Sequence, residues 1–124
     1  MTDRELVAAF ENCTLTEFHH RDHVRVAWCY LREAPLLVAL ERFTTSLKRF
    51  AAAAGKPGLY HETITWAYLF VIHDRMREGE DWPTFAQRNP DLLGWKPSIL
   101  DTYYHRETLA SARARDSFVF PDRR

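Results

Sequence analysis

Between His61 and about Arg77 the run HETITWAYLFVIHDRMR is apolar nearly all round in its middle. A helix of that kind has no face to offer water, so it belongs in the interior of a helical assembly. The rest of the chain must cover it, and its own periodicity is helical too. After Pro35, a residue suited to a first helical position, Leu36, Leu40, Phe43, Leu47, Phe50 and Ala54 recur at threes and fours until Gly55 closes the run. Thr2 with Glu5 forms a capping-box pattern ahead of Leu6, Ala9, Phe10 and Cys13. Thr14 with Glu17 repeats the pattern and predicts the opening of a second helix, which carries His20, His23, Ala27, Tyr30 and Leu31 on one face.

The stretch GKPGLY reads as a linker with a turn. Beyond the buried run, Pro83, Pro90 and Pro97 divide the chain into short pieces. Short helices are expected at Pro83 to Arg88 and Pro97 to Tyr104, with a last turn or short helix near Glu107 to Arg113. SFVF reads as an extended tail that packs Phe118 and Phe120 onto the helices. The expected fold is therefore all-α: one domain over residues 1–124, a compact bundle of about four main helices with short helices and an extended tail at the C-terminus.

Composition narrows the function. Hydrophobic residues at 46% and charged residues at 27% are those of a globular chain, not a disordered one. Seventeen basic residues balance seventeen acidic ones, so no overall field favours nucleic acid or an anionic membrane. No segment offers about 18 uncharged apolar residues in a row, and the start MTDRELVAAFENC does not read as a secretory signal. The expected location is the cytoplasm, with Cys13 and Cys29 as free core thiols.

The histidines carry the chemistry. On a helix, residues three apart lie about 60° from each other around the axis, so His20 and His23 can aim both imidazoles at one point. A catalytic zinc site wants about three protein ligands and an open position, so a third donor is needed. His61 is the best candidate, beside Glu62 at the start of the buried helix. There the positive end of the helix dipole favours a neutral imidazole and an ionised carboxylate. The resulting expectation is a mononuclear site on His20, His23 and His61, with Glu62 as general base or as a hydrogen-bonding partner of what the metal holds, and the Tyr60 hydroxyl as a further catalytic group. Three imidazoles suit zinc or copper, and a carboxylate replacing one of them suits iron or manganese.

The plainer alternative is that these histidines are partly buried groups bonded to backbone or carboxylate, and that His61 and Glu62 are favourable first-turn residues. Thr65 occupies the position where a zinc-protease HExxH helix needs its second histidine, and Glu17 with His20 lacks the second Glu-x-x-His of a di-iron bundle. Cys29, inside an apolar run, has no feature of a nucleophile. His19 reads as solvated, His73 as a surface or capping residue at the end of the buried helix, and Lys96 as exposed. Tyr104 and His105 are outside candidates for the site.

Taken in order, F-x-H-x-x-H at Phe18, His20 and His23, Y-H-E-T at Tyr60 to Thr63, the YY at Tyr103 and Tyr104, and the closing FVFPD resemble a family of small, uncharacterised bacterial all-helical proteins. The similarity spans nearly the whole chain. It implies a grouping of His20, His23, Tyr60, His61 and Glu62 and names no reaction. The family pattern has a small polar residue after YY, where this chain has His105.

Two functions stand as expectations. One is a metal-dependent enzyme acting on a small molecule by hydrolysis, elimination or oxidation. The other is a non-enzymatic helical module that binds a small molecule or a protein, its histidines serving as polar anchors. A homodimer joined through apolar faces is a third.

Overall fold

The computed structural model describes residues 1–123, and all regular structure among them is helical, as the periodicity predicts. The chain divides into two compact units, Met1–Tyr60 and His61–Arg124.

In the first unit, α1 (Asp3–Glu11), α2 (His20–Glu33) and α3 (Leu36–Ala53) pack against one another, and a 3₁₀ turn at Pro57–Leu59 lies on α3. The capping box of α1 forms as expected. Glu5 N–H donates to Thr2 Oγ1 at 3.1 Å, and Thr2 N–H donates to Glu5 Oε1 at 2.9 Å. The second capping pattern does something else. Thr14 N–H bonds back to Ala9 C=O at 2.9 Å and Cys13 N–H to Phe10 C=O at 3.1 Å, which closes α1 in a Schellman turn. Cys13 takes the left-handed position of that turn, with φ 58°, where glycine is the usual occupant. The expected opening of α2 at Thr14 to Glu17 is thus corrected: the helix starts at His20, and Asp22 accepts from the His19 N–H at 3.1 Å. A Thr-x-x-Glu spacing is only local, and here the demand of α1 for carbonyl partners takes Thr14 first.

Phe10 is the centre of this unit. It is fully buried, its ring 5.0 Å from Phe18, 5.6 Å from Phe50 and 5.7 Å from Phe43, with Tyr30 edge-on at 6.4 Å. Such offset and edge contacts add to the area that aromatic rings bury. Arg25 ties α2 to the chain start by donating to Asp3 Oδ1 and the Met1 carbonyl, and Arg49 of α3 donates to the Glu11 carbonyl at 3.1 Å. α3 ends as the sequence predicts. Gly55, with φ +76°, lets Lys56 N–H reach Ala51 C=O and Gly55 N–H reach Ala52 C=O.

The second unit is built on α4 (Glu62–Arg75), the apolar run of the sequence. From His61 to Ile72 every residue is buried or half-buried, and only near the C-terminal end do His73 and Asp74 reach solvent. Shorter pieces come after it: α5 (Trp82–Arg88), α6 (Pro90–Leu93), a 3₁₀ turn (Ile99–Thr102), α7 (Arg106–Leu109) and α8 (Ala112–Asp116). The expected helix at Pro97 to Tyr104 shrinks to that 3₁₀ turn, capped by Ser98, whose Oγ accepts from Leu100 N–H. The one turn or short helix expected near Glu107 to Arg113 is two short helices, because Ser111 caps a new one by accepting from Ala114 N–H at 3.1 Å.

Arginines sew α4 to the short helices after it. Arg88 donates to the Arg75 carbonyl at 2.8 Å and pairs with Glu80, which holds the Glu80 carboxyl below its ordinary range. Arg75 pairs with both oxygens of Asp91 at 2.8 and 3.0 Å and also reaches Asn89 Oδ1.

Replacing the hub of the first unit tests this description. Phe10→Ala should destabilise the protein by about 3–5 kcal/mol, the range for emptying a buried aromatic site, as read by urea unfolding followed by circular dichroism. A loss under about 1 kcal/mol would show that Phe10 is not the centre of a packed cluster.

Candidate functional site

Phe18, His20 and His23 mark the entry to α2. His23 is half-buried, its ring stacked on Phe18 at 3.9 Å, and Phe18 in turn packs on Phe50 at 4.9 Å. Burial, and then the neighbouring His20, push the His23 imidazole down to about 4, against the opposing influence of Asp22 and the Phe18 backbone. At neutral pH His23 is an uncharged ring resting on an aromatic face. His20 is half-buried, while His19 is exposed and lies 3.5 Å from Glu17. In this unit Lys48 sits 5.0 Å over the Tyr60 ring.

His61 is buried and fully engaged in the second unit. Its Nδ1 accepts the Ile64 N–H at 3.1 Å, which makes it the N-cap of α4, a role usually filled by Ser, Thr, Asp or Asn. Its Nε2 lies 2.7 Å from the Leu109 carbonyl at the end of α7, and only an N–H can satisfy that oxygen. One neutral imidazole therefore caps the start of one helix and the end of another. Glu62 accepts from Trp66 Nε1–H at 3.1 Å, one turn along α4.

The metal set expected from sequence asks for three nitrogen lone pairs. Among the described residues, no group of three or more His, Cys, Asp or Glu is placed to hold a metal ion. On His61, Nδ1 lends its lone pair to Ile64 N–H and Nε2 carries the proton donated to Leu109. Cys29 is buried, and burial pushes its thiol up to about 12, so no thiolate is on hand for nucleophilic work.

The motif residues also act as fasteners for the tail. Thr63 Oγ1 donates to the Ser117 carbonyl at 2.8 Å and accepts the Val119 N–H at 3.1 Å. Tyr104 is buried and donates to the Val119 carbonyl at 2.7 Å. Asp122 accepts from the Thr108 hydroxyl and from His105 N–H, and the N–H groups of Asp122 and Arg123 both bond the Tyr103 carbonyl. His105 is thereby an exposed N-cap position of α7, and Lys96 and His73 are exposed as expected.

So held, the tail walls a cleft of about 390 Å³ within the second unit. One side is the α4 stripe Ala67, Phe70, Val71 and Asp74, with Arg75 beside it; the other is Leu100, Tyr103, Tyr104 and the tail residues Phe118, Phe120 and Pro121. Phe118 stacks on Trp66 at 5.5 Å and meets Phe70 edge-on at 5.5 Å, as the packed tail predicts. Phe120 corrects the other half of that expectation. It touches Phe118 at 5.8 Å yet stays 82% exposed, because it projects at the cleft mouth instead of packing onto the helices. The sequence reading missed this cleft. A signal was present in the i, i+3, i+4, i+7 spacing of residues 67, 70, 71 and 74, an apolar stripe that ends in an acid.

No protein-family model matches the chain, and neither a curated protein nor a solved structure does. The family resemblance rests on its motif residues alone.

His23 makes stability depend on pH in a calculable direction. Its folded value near 4 lies below the unfolded 6.5, so the unfolded chain binds the extra proton between them. The contribution is whole above pH 6.5 and is lost as pH falls towards 4, by on the order of 3 kcal/mol at most. In His23→Gln the slope of unfolding free energy against pH should flatten across that window, measured by urea titrations at several pH values. An unchanged slope would mean that this imidazole is not held neutral.

Proposed function

We propose that the protein is a non-enzymatic helical module that takes up a small, largely apolar molecule in the cleft between α4 and the C-terminal tail. The observation that carries this reading is the cleft. Its volume of about 390 Å³ lies inside the range of about 300–1,000 Å³ typical of small-molecule sites. Its walls are mainly aromatic and aliphatic, with a few polar groups at the edge, which is the composition such sites have. The fastening of the tail supports the reading too, since a wall held by Thr63, Tyr104 and Asp122 needs little reordering when a ligand enters. Two free thiols and the absence, among the described residues, of any helix long and apolar enough to cross a membrane accord with a role in a reducing compartment such as the cytoplasm.

Binding of the neutral dye phenylnaphthylamine, read by its fluorescence, tests the cleft directly. Val71→Trp should fill it and weaken binding at least about tenfold while the far-ultraviolet circular dichroism stays helical. Undiminished binding by a folded Val71→Trp variant would refute the cleft as the site.

The rival proposal is the metalloenzyme, with His20, His23 and His61 as ligands and Glu62 and Tyr60 as catalytic groups. Its support is the pair His20 and His23, placed three residues apart at the start of α2 and close enough to influence each other's charge. Its difficulty is His61, which would have to break one of its two hydrogen bonds to bind. Elemental analysis of untagged protein grown with zinc, copper, iron and manganese should find well under one equivalent of each. A full equivalent that disappears in His23→Ala would establish the metal reading in place of ours.

A further inference from the structure

We propose that the cleft selects ligands with a positively charged amine on an aromatic or apolar body, with Asp74 as the counter-charge. This rests on the cleft being the binding site. Of the residues that line it, two are ionised, Asp74 and Arg75. The Arg75 guanidinium is already matched, both of its Nη atoms being bonded to the Asp91 carboxylate and one also to Asn89. Arg88, which covers the end of α4, is matched in the same way by Glu80. The Asp74 carboxylate makes no hydrogen bond or ion pair among the described residues and is open to solvent at the mouth. With Arg75 and Arg88 each paired to a carboxylate of its own, Asp74 adds a negative charge at the cleft mouth that no hydrogen bond or ion pair engages among the described residues, although the Arg75 guanidinium beside it feels its field.

The walls act in the same sense. Phe70, Tyr103, Phe118 and Phe120 present aromatic rings to the cleft, and the negative face of an aromatic ring attracts a cation and repels an anion. A carboxylate ligand would meet Asp74 and these rings, while Arg75, the cation in the lining, is already paired with Asp91. A neutral ligand would gain only the apolar contact. An amine gains all three, and part of that gain is screened by salt.

Three probes with one indole body and different side-chain charge decide the matter: tryptamine, tryptophol and indolepropionate, titrated calorimetrically into the protein of residues 1–124. Tryptamine should bind at least about fivefold more tightly than tryptophol at low salt, and indolepropionate most weakly. Asp74→Asn should bring the tryptamine advantage below twofold and leave tryptophol unchanged. Equal binding of tryptamine and tryptophol, an advantage that survives Asp74→Asn, or no binding of any indole while phenylnaphthylamine still binds in a Val71-sensitive way would each overturn the charge selection and leave the cleft standing. Failure of both the indoles and the Val71-sensitive dye would remove the cleft itself and this inference with it.

Discussion

A helix buried on nearly every side can be surrounded by short, irregular segments only if the backbone groups of those segments find partners, since an orphaned buried N–H or C=O costs about as much as a lost hydrogen bond. In the second unit α4 meets this demand from its own first turn. His61 accepts from the backbone of α4 and donates to the end of α7, and Thr63 both donates to and accepts from the tail. Two side chains of one motif thereby tie two segments with little regular hydrogen bonding of their own, the end of α7 and the tail, to α4. The histidine is suited to this because its neutral ring carries one donor and one acceptor on opposite edges, so a single side chain can face two helix termini of opposite polarity.

The same fastening explains how a cleft can exist in so small a unit. Close packing ordinarily fills the interior, and an open apolar space survives only where its walls are held apart. Here the Tyr104 hydroxyl and the Asp122 carboxylate hold the tail along its length, while Phe118 stacks on Trp66 and meets Phe70 edge-on. Phe120 and Tyr103 remain at the mouth with rings partly in solvent. At the far end of α4, bidentate and charge-assisted pairs engage Arg75 and Arg88, while Asp74, which makes no hydrogen bond or ion pair among the described residues, stands beside the opening.

In the first unit, aromatic packing does most of the organising. Phe10 gathers Phe18, Phe43, Phe50 and Tyr30, and Phe18 passes the contact on to His23. Taking a protonated ring out of water would be costly, so the stack keeps His23 neutral across the physiological range. The spacing that reads as a pair of ligands therefore serves at least one other end, placing an aromatic-like ring against Phe18.

The sequence by itself determined the helical class, the reach of α3 and α4, the capping box of α1 and the Gly55 stop, because periodicity, caps and left-handed glycine are properties of residues within a turn or two of each other. Even at short range it left one choice open: Thr14 could serve the end of α1 or the start of α2, and only the assembled turn shows that it serves α1. His61 was legible as a neutral first-turn histidine, yet what its nitrogens do was not. Its partner carbonyl lies 48 residues away, and the tail that Thr63 holds lies 54 to 56 residues away. The cleft, the pairing of Arg75 and the isolation of Asp74 likewise depend on segments far apart in the chain. Such partnerships leave no periodic trace, because it is the path of the backbone between them that brings the groups together.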